Sequence, residues 1–191
     1  MVITIDGPAG AGKSTVARAV AARLGFRYVD TGLMYRELTA VSMARGVDPA
    51  DGDALAALVG EDPPAGVDLR GEQVSARVSA VSRHPQVRTR MRERQRALAR
   101  DAVLEGRDTG SRVCPDADVK VYLTASLEAR AARRAVDLGL RADQVGRTIA
   151  ARDRGDADQL APAPDAHVID TSGLSVDEAV DAVVRLVEAA A

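Results

Sequence analysis

The sequence predicts an α/β fold in which helices cover both faces of a parallel sheet. Three observations support this prediction. Short apolar or β-branched segments alternate along the chain with longer segments of helical periodicity. The first strand pattern, at 2–5, passes through a glycine-rich turn into a helix pattern that starts at Ser14. The chain has 191 residues, of which 46% are hydrophobic, so one domain can bury a sizeable core.

Five strands are expected from the apolar runs. The run at 2–5 is β-branched and lacks alternation, which is typical of a strand buried on both faces of a parallel sheet. The predicted strands are 2–5, 26–30, 102–105, 119–124 and 166–170.

Helical periodicity fills the stretches between these strands. Gly25 and Gly46 are placed to end the first two helices, because glycine accepts the left-handed conformation of a C-cap. Pro85 suits a first helical turn, and Ser175 with Glu178 forms a capping box that opens the last helix. The segment 46–71 is rich in Gly, Pro and Asp and is expected to be mostly loop. The predicted helices are 14–24, 33–45, 53–59, 73–82, 86–100, 126–138, 142–153 and one that follows Ser175.

Composition excludes several classes of function. The net charge of −2 gives no overall attraction to nucleic acid or to membranes. One Phe, three Tyr and no Trp are too few for a base-stacking platform, and the single cysteine excludes an internal disulfide. No apolar run approaches the ~20 residues of a membrane span, and no signal-peptide pattern opens the chain. We therefore expect a cytoplasmic protein that binds neither nucleic acid nor a membrane.

The most specific motif is the P-loop, residues 7–14, which reads GPAGAGKS and matches G-x-x-x-x-G-K-[ST] at every fixed position. Its glycines let backbone N–H groups converge on phosphate oxygens, and the helix that follows adds its positive N-terminal dipole. Lys13 and Lys120 are the only lysines, and a compact ammonium at position 13 suits polyphosphate better than a planar guanidinium. Ser14 is expected to bind Mg²⁺. The predicted ATP site comprises Gly7, Pro8, Ala9, Gly10, Ala11, Gly12, Lys13, Ser14 and Thr15.

Two further segments follow predicted strands. DTGLMYR at 30–36 follows the second strand, and GRDTG at 106–110 follows the third. The carboxyl ends of parallel strands share one edge of a sheet, so both segments are expected at the same edge as the P-loop. Each offers an arginine with small or hydroxyl residues, which suits an anionic second substrate.

With these segments in place, the chain resembles the bacterial cytidylate kinases, a group within the nucleoside monophosphate kinases. The matching segments follow in family order and span nearly the whole chain. They are ITIDGP before the P-loop, D-[ST]-G-x-x-YR at 30–36, SAVSRHPQVR at 79–88, GRDTG at 106–110, PDADVKVYLTAS at 115–126 and RDRGD at 152–156.

The resemblance implies one P-loop kinase domain over 1–191, with a parallel sheet in a three-layer sandwich, a monophosphate-binding region at about 31–100 and an arginine-bearing lid at about 130–157. Arg36 and Arg107 would hold the acceptor phosphate, and Arg152 and Asp156 would contact acceptor phosphate and sugar. The residues implied to read or border the cytosine are Thr31, Tyr35, Ser79, Arg88 and Asp108. The residues implied as catalytic cations are Lys13, Arg107, Arg130 and Arg134, with Arg133 as a further candidate.

The implied reaction is transfer of a phosphoryl group from ATP to CMP, and to dCMP. The second ionisation of a phosphate monoester lies near pH ~6, so the acceptor is already largely dianionic and no catalytic base is needed. The reaction instead requires cancellation of charge and in-line alignment, which Mg²⁺ and the cations supply. Since one chain carries every element required, we expect a monomer.

The sequence also departs from the family pattern. The segment 60–72 is shorter than the usual insertion, which carries extra strands. Thr109 and Ser111 stand where Ile or Met and Thr are commoner. Gly155 and Gln159 replace arginines that many members carry, and Arg141, Arg147 or Arg154 would have to compensate.

Two alternatives remain open at this stage. The first is a P-loop kinase for another acceptor, such as UMP, shikimate or a sugar acid. A kinase that binds shikimate is expected to carry Asp-x-Asp after the second strand, where this chain has DTG at 30–32. The second is a regulatory nucleotide-binding module associated with RNA, which the interspersed acidic residues disfavour.

Overall fold

The computed structural model describes residues 1–155 and 160–190, except for the side chains of Asp137 and Arg152. These residues form two compact units. The first combines residues 1–29 with the described part of 99–191, and the second is Asp30–Leu98.

Within the described residues, the first unit is built on a five-stranded sheet. The strands are β1 (Val2–Asp6), β2 (Arg27–Asp30), β3 (Ala102–Gly106), β4 (Val119–Thr124) and β5 (His167–Asp170). Their order is β2-β3-β1-β4-β5, and β1 pairs in parallel with both β3 and β4, as β4 does with β5. All five predicted strands are confirmed, with ends shifted by at most one residue. The sheet places Asp6, at the end of β1, opposite Gly106 and Tyr122.

Within the described residues, the α-helices follow the order that the sequence patterns predicted. They are α1 (Lys13–Leu24), α2 (Thr31–Arg45), α3 (Gly52–Ala57), α4 (Glu72–Ser82), α5 (Pro85–Ala97), α6 (Leu127–Leu138), α7 (Ala142–Gly155) and α8 (Val176–Ala190). Gly25 and Gly46 cap α1 and α2 in the left-handed conformation, with φ of 70° and 66°. Helix α2 begins two residues before its predicted start, because the Asp30 carboxylate accepts a hydrogen bond from Leu33 N at 2.8 Å and caps it.

The core of the first unit lies between the sheet and helices α1 and α8. Ile3, Ile5 and Leu123 are fully buried and belong to one apolar cluster with the inner faces of both helices. Ser175 and Glu178 form the predicted capping box at the start of α8: Ser175 Oγ accepts from Glu178 N at 3.2 Å and Glu178 Oε2 accepts from Ser175 N at 2.8 Å. A covered sheet therefore carries the P-loop on its edge.

The other lysine, Lys120, is buried in the fold and lies outside the P-loop. Lys120 lies on β4 and is only 7% exposed, and its ammonium donates to Pro115 O and, at 2.7 Å, to Asp165 Oδ2. These acceptors satisfy a charge that would be costly to bury alone. Of the two lysines, only Lys13 lies in the P-loop.

The second unit consists of helices α2 to α5. Helix α2 packs on α4, and α3 packs on α5. Leu55, Val81, Val87 and Met91 supply its best buried apolar side chains. Residues 58–71 contain no strand, which agrees with the expectation of a loop in this shortened segment. Among the described helices of both units, none is long and apolar enough to span a membrane.

Candidate active site

The P-loop has the backbone conformation that its glycines predict. Gly7, Gly10 and Gly12 adopt φ values of 147°, 79° and 88°. A Cβ at Gly7 would lie 2.1 Å from Leu123 O, so a larger residue cannot fit there. Gly12 is the N-cap of α1 and has no side chain that could bond the first-turn amides, and a helix start of this kind suits an anionic group.

Side chains from several parts of the chain hold the P-loop main chain. Lys13 Nζ donates to Pro8 O at 3.0 Å, so the ammonium folds back over the loop. Arg130 Nη1 donates to Ala9 O at 3.0 Å, and Thr171 Oγ1 donates to Ala11 O at 3.2 Å. The cradle is therefore supported along its length and does not depend on the glycine backbone alone.

The segment 106–110, here named the acceptor loop, meets the P-loop directly. Arg107 Nη1 donates to Gly7 O at 3.0 Å. After Asp108 the chain makes one π-helical turn, Thr109–Val113, which the sequence patterns did not predict. Asp108 is partly exposed and lies 3.6 Å from the Arg112 guanidinium. The structure thus brings Arg107 and Lys13, two of the predicted catalytic cations, to neighbouring carbonyls of the same loop.

A buried carboxylate that sequence reasoning missed lies beneath this contact. Asp6 is 6% exposed and accepts hydrogen bonds from Thr109 N at 3.0 Å, from Thr109 Oγ1 and from Gly110 N at 2.8 Å. Burial raises the pKa of the Asp6 carboxyl above its usual value, and the hydrogen bonds from Gly110 and Thr109 oppose that rise. An acid directly after the β-branched run 2–5 and directly before the P-loop is the signal that could have identified it.

The predicted lid arginines are placed in different ways. Arg130 is 8% exposed and donates to Ala9 O, to Ala125 O at 3.1 Å and to Asp153 Oδ2 at 2.5 Å. Arg133 donates to Thr171 O and Thr171 Oγ1, whereas Arg134 is exposed. Arg130 therefore links α6, α7 and the P-loop. Its predicted catalytic role, like that of Arg134, remains a prediction.

Apolar contacts reinforce the same link. Ala9 of the P-loop is buried in one cluster with residues of α6 and α7, namely Ala131, Ala135, Val145 and Ile149. A Cβ at Gly10 would lie 3.0 Å from the Cβ of Arg130, so the loop backbone passes close to α6.

The structure describes only part of the C-terminal end of the predicted lid. Helix α7 includes position 152, but the Arg152 side chain, Asp156 and Gln159 lie outside the described residues. At Gly155 no atom of the described residues lies within 4 Å of the position a Cβ would take. Arg154 is exposed. Arg141 and Arg147 are also exposed, and both contact Asp143, at 3.1 and 3.8 Å.

The second unit carries the predicted monophosphate-binding residues on three helices. Thr31, buried, and Tyr35 lie one turn apart on α2. Arg36, on the same helix, donates from Nη1 to Leu69 O and to Ser75 Oγ, both at 2.9 Å. The start of α4 therefore holds the Arg36 guanidinium in place.

Ser79 and Arg88 lie near the opposite end of α4. Arg88 Nε donates to Ser82 O at 2.8 Å, and Ser79 is exposed one turn before Ser82. Arg88, on α5, thus contacts the last residue of α4, the helix that carries Ser79. Glu37, on α2, has a pKa raised mainly by burial, with the Arg94 guanidinium opposing the rise.

No cluster of three or more His, Cys, Asp or Glu side chains suited to a metal ion occurs among the described residues. Ser14, the predicted Mg²⁺ ligand, lies in the first turn of α1 and is partly exposed.

Comparison with known proteins identifies the family of the chain. Residues 3–189 match the family described as cytidylate kinase. The chain belongs to the cytidylate kinase family. The cytidylate kinase of Corynebacterium efficiens is 46% identical over 220 residues, which cover 100% of this chain and 96% of the relative. The cytidylate kinase of Streptomyces avermitilis is 44% identical over 214 residues, covering 98% of this chain and 93% of the relative. Both alignments are longer than the 191-residue chain, so the cytidylate kinases contain residues with no counterpart here.

A solved structure supports the fold. Shikimate kinase from Bacteroides thetaiotaomicron aligns with a TM-score of 0.53 at 16% identity and covers 97% of each chain. At this identity the likeness speaks for the α/β P-loop kinase fold alone, and it confirms the fold class predicted from the sequence.

Proposed function

We propose that this protein transfers the γ-phosphoryl group of ATP to CMP and to dCMP, releasing ADP and the corresponding diphosphate. The observation that carries the proposal is the contact between Arg107 and Gly7, in which a cation of the acceptor loop lies 3.0 Å from the P-loop main chain. Membership of the cytidylate kinase family supports the identity of the acceptor.

The donor is held by the P-loop. Lys13 is close enough to the loop to exchange the Pro8 carbonyl for phosphate oxygens of ATP. The first-turn amides of α1 are proposed to bind phosphate oxygens, because they point out of the positive end of the helix and the N-cap Gly12 has no side chain to bond them. The hydroxyl of Ser14 fits a magnesium ion at the same phosphates, and such an ion supplies positive charge against the polyphosphate.

Two arginines are proposed to hold the acceptor phosphate. Arg107 binds the phosphate of CMP from the acceptor loop, and Arg36 binds it from α2. An amino donor and two acceptors line the edge of cytosine, so Asp108 accepts from the amino group, and Arg88 and Ser79 donate to the acceptors.

Transfer needs alignment and charge neutralisation. A phosphate oxygen of CMP, already deprotonated near neutral pH, attacks the γ-phosphorus as the bond to the β-phosphate oxygen breaks. Lys13 and Arg107 stabilise the charge that spreads over the transferred group, and the proposed lid (130–157) excludes water from it. Arg130 and Arg134 are the lid cations proposed to assist, and Arg152 and Asp156 are proposed to contact the acceptor.

A coupled assay of ADP release with ATP·Mg²⁺ tests the proposal. CMP, dCMP, UMP, AMP and shikimate serve as acceptors at equal concentration, and a reaction without acceptor measures ATP hydrolysis. We expect turnover with CMP and dCMP well above that with the other acceptors. ADP release that is indifferent to the acceptor, or greatest with UMP, would reject the proposed acceptor.

We also propose that the protein acts in the cytoplasm as a monomer, since one chain carries all the proposed site residues. Sedimentation velocity in the presence and absence of both substrates tests the monomer. A stable dimer would contradict it.

A further inference from the structure

A buried carboxylate joins the end of β1 to the acceptor loop. Both oxygens of Asp6 are used: Oδ1 accepts from Thr109 N and Thr109 Oγ1, and Oδ2 accepts from Gly110 N. The Asp6 side chain has almost no contact with water, so these three donors take the place of its hydration. Loss of any one of them leaves a buried ion short of a partner.

The acceptor loop is fitted tightly against β1 at this point. A Cβ at Gly110 would lie 2.8 Å from Thr4 Oγ1 and 3.5 Å from Asp6 Oδ2, so the loop backbone approaches the strand as closely as a glycine allows. Arg107 donates to Gly7 O at 3.0 Å. Consecutive residues of the β1 end, Asp6 and Gly7, therefore hold the loop on both sides of Asp108.

Thr109 makes one of these bonds through its side chain. Its backbone N–H is available whatever residue stands there, but the hydroxyl donor is not. A side chain without a hydroxyl, such as that of Val, cannot donate to Asp6. The hydroxyl bond therefore depends on which residue stands at position 109.

The P-loop has supports that do not involve Asp6. Lys13, Arg130 and Thr171 bond the carbonyls of residues 8, 9 and 11. A disturbance of the bond between Asp6 and Thr109 is therefore expected to reach the acceptor loop before it reaches the donor cradle.

We infer that Asp6 is a positioning residue for the acceptor: through Thr109 and Gly110 it fixes the loop that presents Arg107 and Asp108 to the acceptor nucleotide. The inference rests on the proposed function, because the roles of Arg107 and Asp108 come from there. It adds a residue that precedes the P-loop and itself touches no substrate.

The test compares Thr109→Val, which keeps the side-chain shape without the donor, with Thr109→Ser, which keeps the donor. Asp6→Asn is the more severe variant. Both Asp6 oxygens accept hydrogen bonds, so the amide nitrogen of Asn would place one donor against another donor. Thr89→Val makes the same chemical change on the exposed face of α5, where the hydroxyl bonds only groups within its own helix. Initial rates are measured with CMP and ATP varied separately.

We expect Thr109→Val to raise KM for CMP about ten-fold, as for loss of one hydrogen bond to a buried ion, with KM for ATP within about two-fold of wild type. Thr109→Ser restores the wild-type KM, and Thr89→Val leaves both constants unchanged. Equal increases of KM for CMP and KM for ATP in Thr109→Val, or no change in either, would overturn the inference. CMP turnover by the wild type would still uphold the proposed function in that case.

Hydrogen exchange separates the two claims if the wild type does not phosphorylate CMP. In Thr109→Val the peptide covering 107–113 is expected to exchange faster than in the wild type, and the P-loop peptide at the wild-type rate. That result would support the placement of the loop by Asp6 even with the proposed function rejected. Unchanged exchange at 107–113 would reject the placement itself.

Discussion

The ion pair between Arg130 and Asp153 offers a quantitative test of how the P-loop is held. Arg130→Met removes the guanidinium from Ala9 O, Ala125 O and Asp153 Oδ2 while keeping much of its apolar stem. The Asp153 side chain is 20% exposed, and its other oxygen, Oδ1, is buried with no hydrogen-bond partner among the residues that the structure describes. The variant therefore leaves a largely buried carboxylate unpaired.

The magnitude follows from that burial. Removing one partner of a buried ion pair costs about 3–5 kcal/mol, and the partial exposure of Asp153 places the expected loss of unfolding free energy at about 3 kcal/mol. In a protein of this size that corresponds to a fall in Tm of about 6–12 °C. In Arg130→Met/Asp153→Ala no charge is stranded, so the double variant should be more stable than the sum of the single losses predicts, by about 2 kcal/mol.

Urea unfolding of the wild type, both single variants and the double variant measures this coupling. Arg23 and Asp181 provide the matched control, since they form a surface ion pair with side chains 53% and 47% exposed. The same cycle on that pair is expected to give a coupling below about 1 kcal/mol. Additive losses at Arg130 and Asp153, within about 0.5 kcal/mol, would refute the reasoning.

Three further outcomes are expected. Lys13→Ala and Arg107→Ala should each abolish most CMP turnover with an unchanged unfolding midpoint, measured by ADP release and urea titration; near-normal rates in either would remove its proposed role. Gly7→Ala should lose ATP binding by isothermal titration, because the new Cβ meets Leu123 O at 2.1 Å in an unfavourable backbone conformation; wild-type affinity would contradict this. The pKa of Glu37 is raised, so folding favours its protonated form. The stability that comes from this protonated carboxyl is fully present below the pKa of the unfolded state. It is lost as pH rises through the pKa of the folded state. Urea unfolding should therefore show Glu37→Gln gaining on the wild type as pH rises from about 4.5 toward neutrality, and a gap constant with pH would oppose that assignment.

The features that the sequence predicted correctly are those with local signals. Gly25 and Gly46 end helices because of their own backbone freedom, and the Ser175 capping box closes within four residues. Parallel order could be inferred because strands and helices alternate. The π-helical turn after Asp108 was not predicted, because it is held by Asp6, which is distant along the chain. The start of α2 at Thr31 was missed although its signal, the Asp30 cap, is local.

The candidate site shows the same division. Residues of the P-loop could be assigned from spacing alone. The partners of its carbonyls could not, since Arg130 and Thr171 are more than a hundred residues away along the chain. Asp6 was passed over because hydropathy patterns treat a buried acid as an interruption, and its partners appear only when β1 and the acceptor loop are seen together.

The burial of Ala9 among side chains of α6 and α7 has a consequence for handling the enzyme. If warming unfolds α6 and α7 before the sheet, the P-loop loses the apolar packing around Ala9. A preparation kept warm without ATP should therefore lose affinity for ATP before the sheet unfolds, and should regain that affinity on cooling. Added nucleotide should protect the hairpin of α6 and α7 from proteases.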